Sequence, residues 1–193
     1  IHGVVIEMIS KITDELMLGS FGKGEVVNHL VEAEKKVYID SLTKVYNRKY
    51  YDERRFCRQL GTEFSSHVTF ILVDLKQFKS INDNYGHHVG DWVLTAVGQT
   101  LLRWVRNFDS VIRLGGDEFL IILQNCSEEA SNRIICDIKK LLQQNAVYDE
   151  INHKYAQGNF GIAYTESFDN TEECITNLLV QADVSMYKDK NNN

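Results

Sequence analysis

At 193 residues, 44% hydrophobic and 25% charged, the chain has the composition of a globular protein with one sizeable core and some length to spare over a domain of ~150 residues. A net charge of −6 excludes a general nucleic-acid binder, which is ordinarily basic, although a polyphosphate can still bind where metal ions bring the positive charge. No apolar run approaches the ~18 residues of a membrane span and there is no signal-peptide pattern, so a cytoplasmic domain is expected. The chain begins Ile1-His2 rather than with Met and is expected to be a piece of a longer protein, whose own membrane attachment stays open. Cys57, Cys126, Cys136 and Cys174 are scattered without a C-x-x-C pair, which argues against zinc and for reduced, mostly buried thiols.

In residues 1–18, Val4, Val5, Met8, Ile9, Ile12 and Leu16 recur at helical spacing, and Gly19, Gly22 and Gly24 then break the pattern. A second helix is predicted over residues 25–38, with Val27, Leu30, Val31, Glu34 and Tyr38 on one stripe. Residues 1–39 are too few for a sensor domain of their own. They read as a helical lead-in: the end of an upstream regulatory domain, a dimerising signalling helix, or both. The main domain is then 40–193.

Asp40 and Ser41 suit a turn or cap before the next helix, which takes in Asn47 and Arg48 and is expected to reach about residue 60. After a loop, residues 68–73 (VTFILV) form a short apolar run rich in β-branched residues, the pattern of a strand buried on both faces. It ends at Asp74. A carboxylate there is either a site residue, held by the strand with its tip in solvent, or a simple cap. A short helix through residues 78–81 gives way to a predicted loop over 82–87, and Gly90-Asp91 opens a long helix with Val93, Leu94, Val97, Leu101, Leu102 and Val105 inward. Asn82 and Asp91 bracket that loop. An Asp carboxylate accepts from the N–H edge of a flat base, and an Asn amide offers both donor and acceptor. Lys79 can meet a phosphate as a point charge.

The stretch RLGGDEFLIIL, residues 113–123, places Gly115 and Gly116 between two apolar runs, a hairpin signal because tight turns need positive φ. Asp117 and Glu118 follow directly. Two adjacent acids at a stiff tip suit a hard cation such as Mg²⁺, which prefers carboxylate oxygens. A helix is predicted over 127–145, a loop with room for a short strand over 146–155, a strand over 158–164 and a final helix over 171–188. Ala130, Ile134, Ile135, Ile138, Leu141 and Leu142 are core candidates in the first of these helices, and Ile175, Leu178, Leu179, Ala182 and Met186 in the last. The order is an α+β layout, one antiparallel-rich sheet with helices packed on it. If strand 68–73 lies beside the hairpin, Asp74 and Asp117 or Glu118 can share a metal site, a two-metal clamp for phosphoryl chemistry.

Five blocks occur in order: D-x-L-T-x-x-x-N-R at 40–48, D-x-x-x-F-K-x-I-N-D at 74–83, Y-G-H-x-x-G-D at 85–91, R-x-G-G-D-E-F at 113–119 and A-D-x-x-x-Y-x-x-K at 182–190. Together they resemble the GGDEF family of diguanylate cyclases. The resemblance spans roughly residues 40–190 and implies a nucleotide-cyclase or polymerase-palm fold. It implies Asp74, the Leu75 carbonyl, Asp117 and Glu118 as holders of two Mg²⁺ or Mn²⁺ ions per half-site, with Asp117 also tied to deprotonating the attacking hydroxyl. Glu118 is the partner acid near metals and phosphates. Asn82 and Asp91 match guanine-reading positions, His87 lies in the same substrate loop, and Lys79 and Lys190 match phosphate contacts. Gly115 and Gly116 would let the backbone approach a triphosphate.

The implied reaction joins two GTP into cyclic di-GMP and two pyrophosphates, across the two-fold axis of a homodimer controlled by an upstream sensory domain. Arg106 and Asp109 form an R-x-x-D where the family's product-inhibition site lies; by itself that pattern is also a common helix-end ion pair. Three positions depart from the family. Lys76 stands where a second Asp is usual, Asn159 replaces a common Ser, and Lys190 is followed by Asn191-Asn192-Asn193 where the family continues with Gly-Arg-Asn, so the phosphate-contacting Arg is either cut off or missing. The competing expectation is a catalytically silent domain that binds GTP or cyclic di-GMP as a signalling module. The presence of Asp74, Asp117 and Glu118 favours activity. An enzyme making a mixed purine dinucleotide is disfavoured by Asp91, which keeps the guanine preference.

Overall fold

The computed structural model describes residues 33, 36–57, 67–144 and 157–191. The chain divides into two units, Ile1–Tyr38 and Ile39–Asn193. Of the first, residues 33 and 36–38 are described, and they are helical. The expected helix over 1–18, most of that over 25–38 and the 146–155 segment lie outside the described residues.

In the second unit the elements run α1 (Arg48–Asp52), β1 (Val68–Leu75), α2 (Phe78–Tyr85), α3 (His87–Trp104), β2 (Ser110–Gly115), β3 (Glu118–Gln124), α4 (Glu128–Gln144), β4 (Gly158–Thr165) and α5 (Glu172–Asn191). The four strands form one sheet in the order β2-β3-β1-β4, and every pairing is antiparallel. This is the expected palm-like layout of a central antiparallel sheet flanked by helices. Among the described residues no helix is long and apolar enough to cross a membrane.

The apolar run of β1 explains its place in the middle of the sheet. Because side chains alternate, Ile71, Val73 and Leu75 face one side, where they join Val93, Leu94, Val97 and Leu101 of α3 and Ile135, Ile138 and Leu142 of α4 in one buried cluster. On the other side Phe70 meets Phe56 edge-on, with ring centres 6.2 Å apart. Helix α5 covers this side where β4 carries Gly161, opposite Leu72. A Cβ at Gly161 would overlap the Ala182 carbonyl oxygen and the Met186 nitrogen, so helix backbone rests directly on strand backbone.

Several boundaries differ from expectation, each for a physical reason. The helix after Asn47 stops at Asp52, because Arg54 takes positive φ and its N–H turns back to the Tyr51 carbonyl; residues 56 and 57 are helical again, and residues 58–60 lie outside the described set. Strand β1 runs through Asp74 to Leu75, since ladder pairing with Gly158 carries it past its apolar run. The 82–87 loop is absent: α2 continues to Tyr85, and Gly86 alone (φ +83°) separates it from α3, which starts at His87 rather than at Gly90. Leu102 is exposed because it lies about 100° round the helix from buried Leu101. Of the four free cysteines only Cys126 is buried, and Cys136 is exposed.

Candidate functional site

Strand β1 delivers Asp74 to the end of the sheet, in register with Glu118 of β3 on one side and Asn159 of β4 on the other. Residues opposite each other across a ladder share a face, so these three side chains form a row. Asn159 Nδ2 donates to Asp74 Oδ2 at 3.3 Å, and Lys190 Nζ of α5 lies 3.0 Å from the same oxygen. Next to this row is the hairpin. Its turn is Gly116-Asp117, one residue later than the sequence suggests, because a bulge between Arg113 and Gly115 shifts the register and pairs Gly115 with Glu118. Gly116 supplies the positive φ (+49°), and a side chain at either glycine would face open space.

Asp117 therefore sits in the turn, and its carbonyl accepts the Leu75 N–H at 3.3 Å, which pins the turn against the end of β1. Burial and the neighbouring Asp74 charge push the Asp117 carboxyl above the usual carboxylate range. Glu118 is exposed. Two hard-oxygen acids repelling each other beside one lysine ammonium make a donor set suited to a divalent cation. Among the described residues no group of three His, Cys, Asp or Glu side chains stands at metal spacing. An ion held here would draw its remaining ligands from phosphates, backbone and water, the usual manner of Mg²⁺.

The hairpin tip is braced from behind. Arg113 Nε and its terminal nitrogen donate to the Gly116 carbonyl at 3.0 and 2.8 Å, and the other guanidinium nitrogen reaches Asp40 Oδ1 at 3.2 Å. That Asp40 oxygen also accepts the Thr43 N–H and hydroxyl at 2.8 and 2.7 Å. Burial opposes the charge on Asp40, but these donors outweigh it and hold the carboxyl below its usual range. Tyr46 is stitched to β2 as well, donating to Val111 and accepting from Arg113 along the backbone. The first sequence block is thus a brace for the fourth.

A second group lies where α2 meets α3. The Asn82 side chain packs so closely on Gly90 that a Cβ there would strike its Oδ1. Asn82 and Asp91 are consequently brought to adjoining positions by the bare backbone of Gly90. Asn82 is half-buried on a helix rather than in a loop, while Asp91, Lys79 and His87 are exposed.

Arg106 and Asp109 lie apart from both groups. Strand β2 begins at Ser110 and ends at Gly115, so Asp109 stands one strand length, roughly 20 Å, from the turn. Asp109 is buried, with Oδ1 accepting the Gln124 N–H at 3.0 Å and Oδ2 the Arg106 backbone N–H at 2.9 Å. Burial raises its carboxyl above the ordinary range despite those two donors. Arg106 is exposed, with its guanidinium 5.5 Å from the Phe108 ring centre.

Sequence reasoning found the acids and lysines but gave no role to Arg113, Gly90 or Asn159. Arg113 had a signal, being the first residue of its motif. Gly90 and Asn159 act through contacts across helices and strands, which linear spacing does not encode.

Residues 37–193 match the family described as "Diguanylate cyclase, GGDEF domain". The uncharacterized protein YhcK of Bacillus subtilis is 33% identical over 84% of this chain and 46% of its own length. Diguanylate cyclase DgcZ of Escherichia coli is 31% identical over 79% of this chain and 50% of its own. The chain thus spans about half the length of these curated relatives. The GGDEF domain of PA1120 from Pseudomonas aeruginosa superposes with a TM-score of 0.67 at 30% identity, over 80% of this chain and 90% of that one. The coiled coil and GGDEF domain of DgcB from Caulobacter crescentus, solved with c-di-GMP, gives a TM-score of 0.75 at 19% identity, covering 96% and 95%. With the family match extending over residues 37–193, the chain belongs to the GGDEF diguanylate cyclase family.

Proposed function

We propose that this chain is the catalytic part of a diguanylate cyclase that condenses two GTP into cyclic di-GMP and two pyrophosphates. The observation that carries the reading is the meeting of Asp74, Asp117 and Lys190 at one end of the sheet. Asp74, the Leu75 carbonyl, Asp117 and Glu118 would hold Mg²⁺ or Mn²⁺. The ions supply Lewis-acid stabilisation of phosphate charge and lower the pKa of the attacking hydroxyl. Lys79 and Lys190 meet phosphate oxygens, and the open approach at Gly115 and Gly116 admits the triphosphate. Asn82 and Asp91 read the guanine edge beside His87. Asp117, whose carboxyl burial and the neighbouring Asp74 charge push above the usual carboxylate range, is the group placed to take up the hydroxyl proton.

One protomer presents one GTP, so bond formation needs a second copy facing it across a two-fold axis. Residues 1–39 would serve as the lead-in by which an upstream sensory domain controls that approach. Incubation with Mg²⁺ and GTP, followed by mass spectrometry, tests the reading. Cyclic di-GMP is the expected product; bound but unconverted GTP at high protein concentration would overturn it in favour of a silent binding module.

Two variants probe the finer assignments. Gly90→Ala should displace Asn82 and raise KM for GTP by about tenfold, on the order of one lost base contact, with kcat little changed. An unchanged KM would remove Asn82 from base reading. Arg106→Ala should abolish product inhibition without unfolding the β2 entrance, because Asp109 holds the backbone N–H of Arg106, which alanine retains. The check is the inhibition curve with added cyclic di-GMP, and an unaltered curve would sink the R-x-x-D assignment.

A further inference from the structure

A second ion pair occupies the last turn of α5, one residue before Lys190. Lys139 Nζ of α4 lies 3.0 and 2.9 Å from the two carboxylate oxygens of Asp189. Asp189 Oδ2 also accepts the Phe160 N–H of β4 at 3.0 Å. The same ammonium stands 5.2 Å from the centre of the Phe160 ring. Asp189 therefore spans the edge of the sheet. It is bound to a helix packed on the opposite face and to the edge strand itself, while its own helix lies over Gly161.

The consequence concerns Lys190. A helix end frays unless tertiary contacts hold it, and the orientation of one residue about the axis fixes that of the next, about 100° further round. Lys190 carries four rotatable bonds, so its reach to Asp74 is defined only where its backbone is fixed. Asp189 ties that last turn to both α4 and β4. The Lys76 charge also acts on Asp189. Burial opposes the charge on Asp189, but the Phe160 N–H, Lys139 and Lys76 outweigh it and hold the carboxyl below its usual range.

We infer that Asp189, anchored by Lys139, is a positioning residue that sets where Lys190 stands relative to Asp74. Its kinetic consequence rests on the cyclase reading above; its structural consequence does not. Lys190 is the group that would touch phosphate, and Asp189 acts through it.

Two measurements test this. The first is acetylation of Lys190 by a soluble N-hydroxysuccinimide ester, read by mass spectrometry. Asp189→Ala and Lys139→Met should each raise its rate about three- to fivefold, the scale of a partly exposed ion pair, while Lys139→Arg keeps the native rate. Lys139→Met retains the stem over Phe160 and serves if Asp189→Ala fails to fold. Native reactivity in Lys139→Met would overturn the inference.

The second is a double-mutant cycle on kcat/KM for GTP. Asp189→Ala should lower it in the native background and add nothing once Lys190 is Ala. Equal losses in both backgrounds would show Asp189 to be merely structural and overturn the inference. A responsive Lys190 in a protein that makes no cyclic di-GMP supports the positioning role while refuting the cyclase reading, so the two can fail separately.

Discussion

Asp74→Asn is expected to reduce the rate of cyclic di-GMP formation on the order of 10³-fold, the scale on which one group stabilising transition-state charge is lost. The side chain keeps its volume and its place at the end of β1. What it loses is the negative charge that a divalent cation requires and that Lys190 contacts at 3.0 Å. Stability should move little: with Lys190 36% exposed, the severed pair contributes no more than about 1 kcal/mol. Initial rates at saturating GTP and Mg²⁺, set beside a thermal melt, separate the two effects. A residual rate within tenfold of native would exclude Asp74 as a metal ligand. A large drop in melting temperature would mark it as structural.

The second large effect is on the fold. Gly161→Ala should destabilise the domain by about 3 kcal/mol, the upper end for overpacking, and lower Tm by roughly 10 °C. The added methyl group meets the Ala182 carbonyl oxygen and the Met186 nitrogen, which are backbone atoms of α5 and cannot rotate aside. Relief requires α5 to lift from β4, and Lys190 would leave Asp74 with it. Urea or thermal unfolding measures the first consequence. A Tm within 2 °C of native, about the effect of less than 1 kcal/mol, would show that the helix rides higher on the sheet than described.

These two positions also mark what was legible in the chain. The strand carrying Asp74 could be read directly, since an unbroken β-branched run has few other uses, and the acid at its end followed. Gly161 looked like any strand glycine, because the helix that demands it lies twenty-one residues further on at Ala182. The pairing of Asp74 with Asn159 and Lys190 was illegible for the same reason: it arises from ladder register and helix docking, neither of which leaves a periodic trace. Asn-Asp-Asn-Tyr at 82–85 reads as a turn by composition, yet it is helical in the fold, where Asn82 packs on Gly90. The hairpin's turn was one residue off because a bulge is invisible to an apolar count.

The contacts of Tyr46 and Asp189 bear on how two copies can meet. Along β2, the backbone of Tyr46 already bonds to Val111 and Arg113; along β4, the Asp189 carboxylate already takes the Phe160 N–H. These are the two outer strands of the sheet. A neighbouring chain that tried to extend the ladder sideways would have to displace a native partner at either margin, an arrangement that resists unwanted strand addition. The proposed meeting of two copies would thereby be directed away from continuous sheets and toward contacts made through side chains.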